Sequence, residues 1–218
     1  MAAALRVTGR LDRRELRGSI LAYPVASPEA FARRSADADG DAEERAARLR
    51  AGADGIVALR SGGRREQLAP SAAGPSELVA ATGLPFALPV LAFPSRGELV
   101  LRAGGGQFEE GPVRVLAAAV RGVLRHLGML PGAPAAGRQR LVGSLLDHPA
   151  PAGGWWTPAV HVGEEVVEGT LLGRVRDLRG TVLADVRSPA DGVVLALPAS
   201  PAVDAGRRLL TLGLELSE

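Results

Sequence analysis

The chain has no cysteine, no lysine and no asparagine in 218 residues, and only 3% of it is aromatic. Without cysteine it can form no disulfide, offer no thiolate nucleophile and hold no thiolate-bound metal. Without lysine it has no side-chain amine through which a cofactor could be carried as an amide. No apolar run approaches the roughly 20 residues needed to span a bilayer. The opening MAAALRVTGRLDRRELRG has no apolar segment after its basic residues, so the expectation is a soluble, cytoplasmic protein with no membrane partner. The joint loss of lysine and asparagine beside abundant alanine, arginine, glycine and proline reads most simply as a high-GC coding bias.

The isoelectric point of about 10.2 suggests nucleic acid at first sight, but the net charge is only +2. Every basic residue is arginine and Tyr23 is the only tyrosine. Little therefore titrates between neutral pH and the arginine range, and the value reflects missing buffering groups. Acidic and basic residues are interspersed, with no basic stripe interleaved by aromatics, so no nucleic-acid partner is expected.

At 46% hydrophobic, the chain can bury a core, built chiefly from Ala, Val and Leu, in one medium domain plus a small one. The lead from Leu5 to Arg17 is charged and reads as peripheral, with a short helical turn at Arg13 to Leu16. The apolar run Ser19 to Val25 reads as a buried strand, and Ser27-Pro28-Glu29 starts a helix with serine as cap. Ser35 to Asp41 is a polar loop, and Asp41 with Glu44 caps a helix through Arg50. Gly55 to Leu59 is a strand that leaves through a tight turn at Arg60-Ser61-Gly62-Gly63. A helix follows over Glu77 to Thr82, and the proline-interrupted LPFALPVLAF (84 to 93) is hard to place in a sheet interior. Glu98 to Ala103 is a further strand, running into Gly104-Gly105-Gly106.

From Pro112, the residues Val113, Leu116, Val120, Leu124 and Leu127 recur at helical spacing, with Gly128 as stop. Strands alternating with helices predict an α/β domain over residues 1–130 with a mainly parallel sheet and flanking helices. Residues 131–140 read as a linker, and residues 141–218 as a small all-β domain. In that domain Ala159 to Val162, Leu171 to Val175, Thr181 to Val186 and Gly192 to Leu197 read as strands punctuated by Gly163, Gly169, Gly180, Pro189 and Asp191-Gly192.

The segments Val-Gly-Glu-Glu-Val at 162–166, Glu-Gly-Thr-Leu-Leu-Gly at 168–173 and Ser-Pro-Ala-Asp-Gly-Val-Val at 188–194 resemble the barrel-sandwich module of biotinyl and lipoyl carriers. Those carriers need a hairpin lysine, which this chain lacks. With Gly153-Gly154-Trp155-Trp156-Thr157-Pro158, the same segments also resemble the C-terminal β-domain of the succinylglutamate desuccinylase/aspartoacylase family, zinc amidohydrolases related to the zinc carboxypeptidases (M14-like). LRGSILAYPVASPEAFARR at 16–34 resembles that family's "VPVANPxAF" run. Residues 120 to 130, VRGVLRHLGML, resemble its last catalytic-domain helix. The likeness extends from about Leu16 to Leu212.

The resemblance implies a zinc ion on two histidines and a carboxylate with an open position for water, plus a carboxylate to shuttle protons and an arginine for the substrate carboxylate. The family's His-x-x-Glu motif should precede Ser19, where this chain has no histidine. Its "DLHTG" turn matches Ala58-Leu59-Arg60-Ser61-Gly62, with arginine in place of histidine. Its glutamate-bearing "LEVGG" strand end matches Leu101-Arg102-Ala103-Gly104-Gly105, again with arginine. Its "DLNR" segment has no match, the loop from Asp37 to Glu44 being shortened. His126, His148 and His161 show no His-x-x-x-His or His-x-x-Glu spacing, and no metal or other cofactor is expected from them.

Other chemistries have weaker signals. No Gly-x-Ser-x-Gly elbow surrounds Ser61, and the glycine runs at 62–63 and 104–106 are too short for nucleotide fingerprints. The acidic pairs Glu109-Glu110 and Glu164-Glu165 read as solvated turns. Arg60 and Arg102 stand where a metal ligand and a catalytic carboxylate would be. With Ser61, Gly62 and Gly104 they form a candidate site for a carboxylate-bearing small molecule, held by bidentate hydrogen bonds and turn amides. Alternatively each arginine fills vacated space and pairs with Glu98, Glu109 or Glu110.

Three functions follow: a metal-free, non-catalytic homologue acting as a binding, scaffolding or regulatory subunit; an active deacylase with a rearranged or subunit-shared zinc site; or an anion-binding protein. For the first, the expected partner is a second copy or a full-length active relative, since a truncated sheet exposes an edge. The Trp155-Trp156 pair reads as an anchor between domains or, alternatively, as an exposed contact for another protein.

Overall fold

The computed structural model describes residues 1–25, 32, 51–89, 98–106, 109–134 and 137–218. The expected helices after Ser27 and Asp41, the polar loop before the second of them, and the end of the LPFALPVLAF run lie outside the described residues.

The helix with the clearest sequence signal organises the first half of the chain. It is α3 (Glu110–His126), entered through Pro112, whose lost N–H costs nothing in a first turn. It stops at Gly128, which takes the positive φ of +68° that a left-handed cap needs. Leu116, Ala119 and Val123 pack with Leu99, Leu101 and Ala103 of strand β4 (Glu98–Gly104). Ala117 and Leu124 turn to a second neighbour, α1 (Ala2–Thr8), through Val7. Each such leucine or valine contributes about 1.5–3 kcal/mol by leaving water. Leu127, expected on the apolar stripe, lies just past the helix and is 54% exposed. The charged lead is not wholly peripheral either: its Val7, on α1, is buried.

The remaining elements in chain order are β1 (Ile56–Arg60), β2 (Glu66–Ala73), α2 (Ser76–Ala81) and β3 (Phe86–Ala87) before β4. After α3 come β5 (Arg140–Leu141), β6 (Ser144–Pro149), β7 (Gly154–Pro158), β8 (Glu165–Val166), β9 (Leu171–Arg176), β10 (Val182–Arg187), β11 (Gly192–Pro198), β12 (Ala202–Val203) and β13 (Arg208–Leu214). Among the described residues they form a nine-stranded sheet with main order β1-β4-β2-β11-β13-β6 and a four-stranded sheet β10-β9-β7-β12. Trp156, Leu172, Val175 and Val186 of the smaller sheet share one core with Val194, Leu197, Leu210 and Leu212 of the larger.

The expectation of a mainly parallel sheet needs correction. β1–β4, β2–β3 and β3–β5 are parallel, but β2 runs antiparallel to both β4 and β11, so the sheet is mixed. The β2–β11 pairing also carries the sheet from the first half of the chain directly into the second. Arg140, at the end of the expected linker, already belongs to β5, and the preceding Gln139 side chain donates to the carbonyls of Val79 and Leu84.

Two expected strands do not form. Ser19 to Val25 is irregular, with Leu21 and Tyr23 exposed; Pro24 cannot donate to a ladder and no strand among the described residues pairs with this segment. Ala159 to Val162 is a turn, and the strand lies earlier, at β7. There Trp156 lies in the core at 2% exposed while Trp155, on the opposite face, is 50% exposed. Trp156 therefore anchors the core of the C-terminal strands, and Trp155 takes no part in it.

Candidate functional site

Strands β1 and β4 are neighbours in parallel register, and their last paired residues are Arg60 and Arg102. Side chains alternate across a strand, and Leu99, Leu101 and Ala103 face α3. Arg102 and its partner Arg60 therefore lie on the opposite face of the sheet. The turns beyond them are tied together: Gly62 N–H donates to Gly104 O at 3.0 Å and Gly106 N–H to Gly63 O at 2.6 Å. The structure thus brings Arg60, Ser61, Gly62, Arg102 and Gly104 into one neighbourhood. It also commits the amides of Gly62 and Gly106 to the turns themselves, so they do not serve a ligand.

The packing of these turns is tight. A Cβ on Gly62 would stand 1.9 Å from the Glu66 carbonyl oxygen, and one on Gly105 would stand 2.0 Å from the same atom. Glycine at both positions lets the turns close over the start of β2.

The Glu66 side chain leads to the other half of the chain. It accepts a hydrogen bond from Arg208 of β13 at 2.8 Å. Arg208 also lies 4.0 Å from Asp147 of β6, and Asp147 accepts from the Thr211 hydroxyl at 2.6 Å. A cavity of about 340 Å³ opens beside this network, lined by Arg102, Leu145, Asp147, Leu195, Ala196, Arg208 and Thr211. Burial holds the Arg102 guanidinium below the ordinary arginine range; Glu66 offsets part of that, while Arg208 and Arg60 add to it by like-charge repulsion. Arg60, in contrast, is exposed.

Of the three glutamates expected as partners of these arginines, one has a different partner. Glu110 makes its ion pair with Arg6 of α1, fastening α1 to the start of α3. Glu109 is exposed at the helix N-cap, and Glu98 is buried at the start of β4.

The donor set does not fit a zinc ion. Structural and catalytic zinc takes imidazole, thiolate or carboxylate ligands, whereas a guanidinium stays protonated and has no lone pair to give. His126 is exposed at the last residue of α3. His148 is not in a loop but on β6, with Nδ1 at 2.9 Å from Pro149 O. His161 is in the turn after β7, 3.6 Å from Glu164. Among the described residues no three of His, Asp and Glu converge in a way that could hold a metal ion.

No protein-family model and no curated protein sequence matches the chain. Its three-dimensional form does have relatives. A product-bound ectoine utilization protein EutE (DoeB) from Ruegeria pomeroyi superposes with a TM-score of 0.82 at 18% identity, over 98% of this chain and 80% of that one. The chain has the succinylglutamate desuccinylase/aspartoacylase fold. A succinylglutamate desuccinylase from Silicibacter sp. TM1040 gives the same TM-score of 0.82 at 19% identity, again over 98% and 80% of the two chains. A succinylglutamate desuccinylase/aspartoacylase from Rhodobacter sphaeroides gives 0.80 at 20% identity, over 97% and 81%. At these identities the likeness is one of fold.

Within that fold, Glu66, Asp147, Arg208 and Thr211 gave no signal in the sequence. They converge only because β2 pairs with β11, β11 with β13 and β13 with β6. The β6 run Ser-Leu-Leu-Asp-His-Pro has no polar–apolar alternation from which a strand could be read.

Proposed function

We propose that the protein is a non-catalytic, metal-free relative of the zinc-dependent N-acyl amino acid amidohydrolases, acting as a binding, scaffolding or regulatory subunit with a C-terminal β-unit of barrel-sandwich type. The observation that carries this reading is the side-by-side placement of Arg60 and Arg102 on β1 and β4. By the resemblance in sequence these are the positions of a metal-binding histidine and the catalytic glutamate. Two guanidiniums there repel a divalent cation and supply no base to take a proton from water.

The partner in this reading is a second copy of the chain or an active, full-length relative. Among the described residues β1 pairs on one side only, with β4, and an edge of that kind favours pairing or cover by another element. Light scattering coupled to size exclusion tests this; a strictly monomeric mass with nothing co-purifying contradicts the subunit role.

The reading of an active deacylase draws on the fold alone. It requires zinc at stoichiometric level in protein purified without chelator and hydrolysis of N-acyl amino acids. The proposal predicts neither, including after zinc is added.

A further inference from the structure

The geometry points to a binding site for a small organic carboxylate in the cavity between Arg102 and Arg208, with the carboxylate on the guanidiniums and the hydrocarbon part against Leu145, Leu195 and Ala196. This deepens the reading above and rests on it in one respect: no metal competes for the carboxylate.

The cavity, about 340 Å³, falls in the range of small-molecule sites. Its two cations come from strands far apart in sequence, β4 and β13. Arg208 donates to Glu66 at 2.8 Å and lies 4.0 Å from Asp147, which also lines the cavity; these contacts restrict its head before any ligand arrives, which lowers the ordering cost of binding. Thr211 is similarly committed, its hydroxyl donating to Asp147. Arg102 need not be without a partner for this role, because a guanidinium carries five N–H donors in a planar fork. Burial destabilises its charge, Glu66 offsets part of that and the neighbouring Arg208 and Arg60 add to it; an anion in the cavity adds to the offset that Glu66 already gives.

The apolar side selects among anions. Leu145, Leu195 and Ala196 give nothing to an inorganic oxyanion but take up methylene groups, each of which adds roughly three- to fourfold in affinity when fully buried. An aliphatic carboxylate therefore fits the cavity better than phosphate does.

The test is isothermal titration of the full chain, treated with 1,10-phenanthroline and dialysed, with acetate, butyrate, hexanoate and inorganic phosphate at matched ionic strength. The expected result is affinity rising from acetate to hexanoate, with phosphate weakest. Arg102→Gln should weaken hexanoate by about tenfold or more, and Arg208→Lys, which keeps the charge facing Glu66 but not the fork, should weaken it less. Arg179→Gln, the same charge change on the exposed β9–β10 hairpin, should leave binding unchanged. If Arg102→Gln does not fold, Arg208→Lys decides. Equal response to acetate and hexanoate, phosphate binding as tightly as hexanoate, or unaltered binding in the folded variants overturns the site. Zinc that survives the chelator contradicts the metal-free reading, whereas loss of the chain-length series in zinc-free protein contradicts the cavity, so the two failures are told apart.

Discussion

Arg208 of β13 donates to Glu66 of β2 across 142 positions of sequence, at 2.8 Å. The bond joins the antiparallel entry of β2 to the last strand of the chain, and it lies beside the pairing through which β2 meets β11. Glu66 is partly buried and Arg208 half exposed, so the pair is partly screened. A double-mutant cycle with Glu66→Gln and Arg208→Gln should return a coupling of about 0.5–1 kcal/mol by urea denaturation, falling as salt is raised. Strict additivity of the two changes contradicts a working contact.

The two adjacent tryptophans should behave very differently. Trp156→Ala removes the largest fully buried side chain of the C-terminal core and should cost about 3–5 kcal/mol. Trp155→Ala, on the solvent face, should stay within about 1 kcal/mol. Because the Trp156 indole N–H is buried without a hydrogen-bond partner, Trp156→Phe leaves no acceptor orphaned and should cost much less than alanine. Chemical denaturation followed by circular dichroism ranks the three.

The glycine turns around Glu66 give a sharper steric test. Gly62→Ala and Gly105→Ala would each drive a Cβ into the Glu66 carbonyl, at 1.9 and 2.0 Å, and each should destabilise by roughly 3 kcal/mol. Gly111→Ala, in the first turn of α3 with no atom within 4 Å of the added methyl, should instead stabilise by up to about 1 kcal/mol. Melting temperatures of the three variants should fall on opposite sides of the parent.

Asp177 closes the β9–β10 hairpin, its Oδ1 accepting from the amides of Arg179 and Thr181, both at 2.8 Å. Hydrogen bonding from the Thr181 backbone, chiefly, holds its carboxyl below the usual range. A carboxylate with a depressed folded value stabilises above its unfolded value, near 3.9, and loses that contribution as pH falls through the folded value. Asp177→Ala should therefore lower the melting temperature at pH 7, with the gap to the parent closing as pH falls below the unfolded value and through the lower folded one. A gap that persists undiminished in acid contradicts the role given to the charged form.

How much of this was legible beforehand depended on residue type. Helix α3 could be read because leucine and valine at helical spacing admit one interpretation. The α/β class and most C-terminal strands followed from glycine and proline punctuation. Strand β2, EQLAPSAA, was invisible: its side chains are small, its burial comes from larger neighbours on β4 and β11, and Pro70 argues against an interior strand. The structure accommodates that proline at a register shift between Leu68 and Ser71, where a ladder hydrogen bond is lost anyway. Arg60 and Arg102 were found by motif position, and their register pairing followed. Arg208, Glu66 and Asp147 could not be found in that way, because only the strand order assembles them.

Arg60 and Arg102, in place of a metal ligand and a catalytic carboxylate, should leave the chain without bound zinc. Elemental analysis of zinc in full-length protein, grown in zinc-supplemented medium and purified without chelator, tests it most directly. The account predicts zinc far below one ion per chain and no recovery of amide hydrolysis when zinc is added. A stoichiometric ion that withstands dialysis and is lost on substituting His126, His148 or His161 would contradict it.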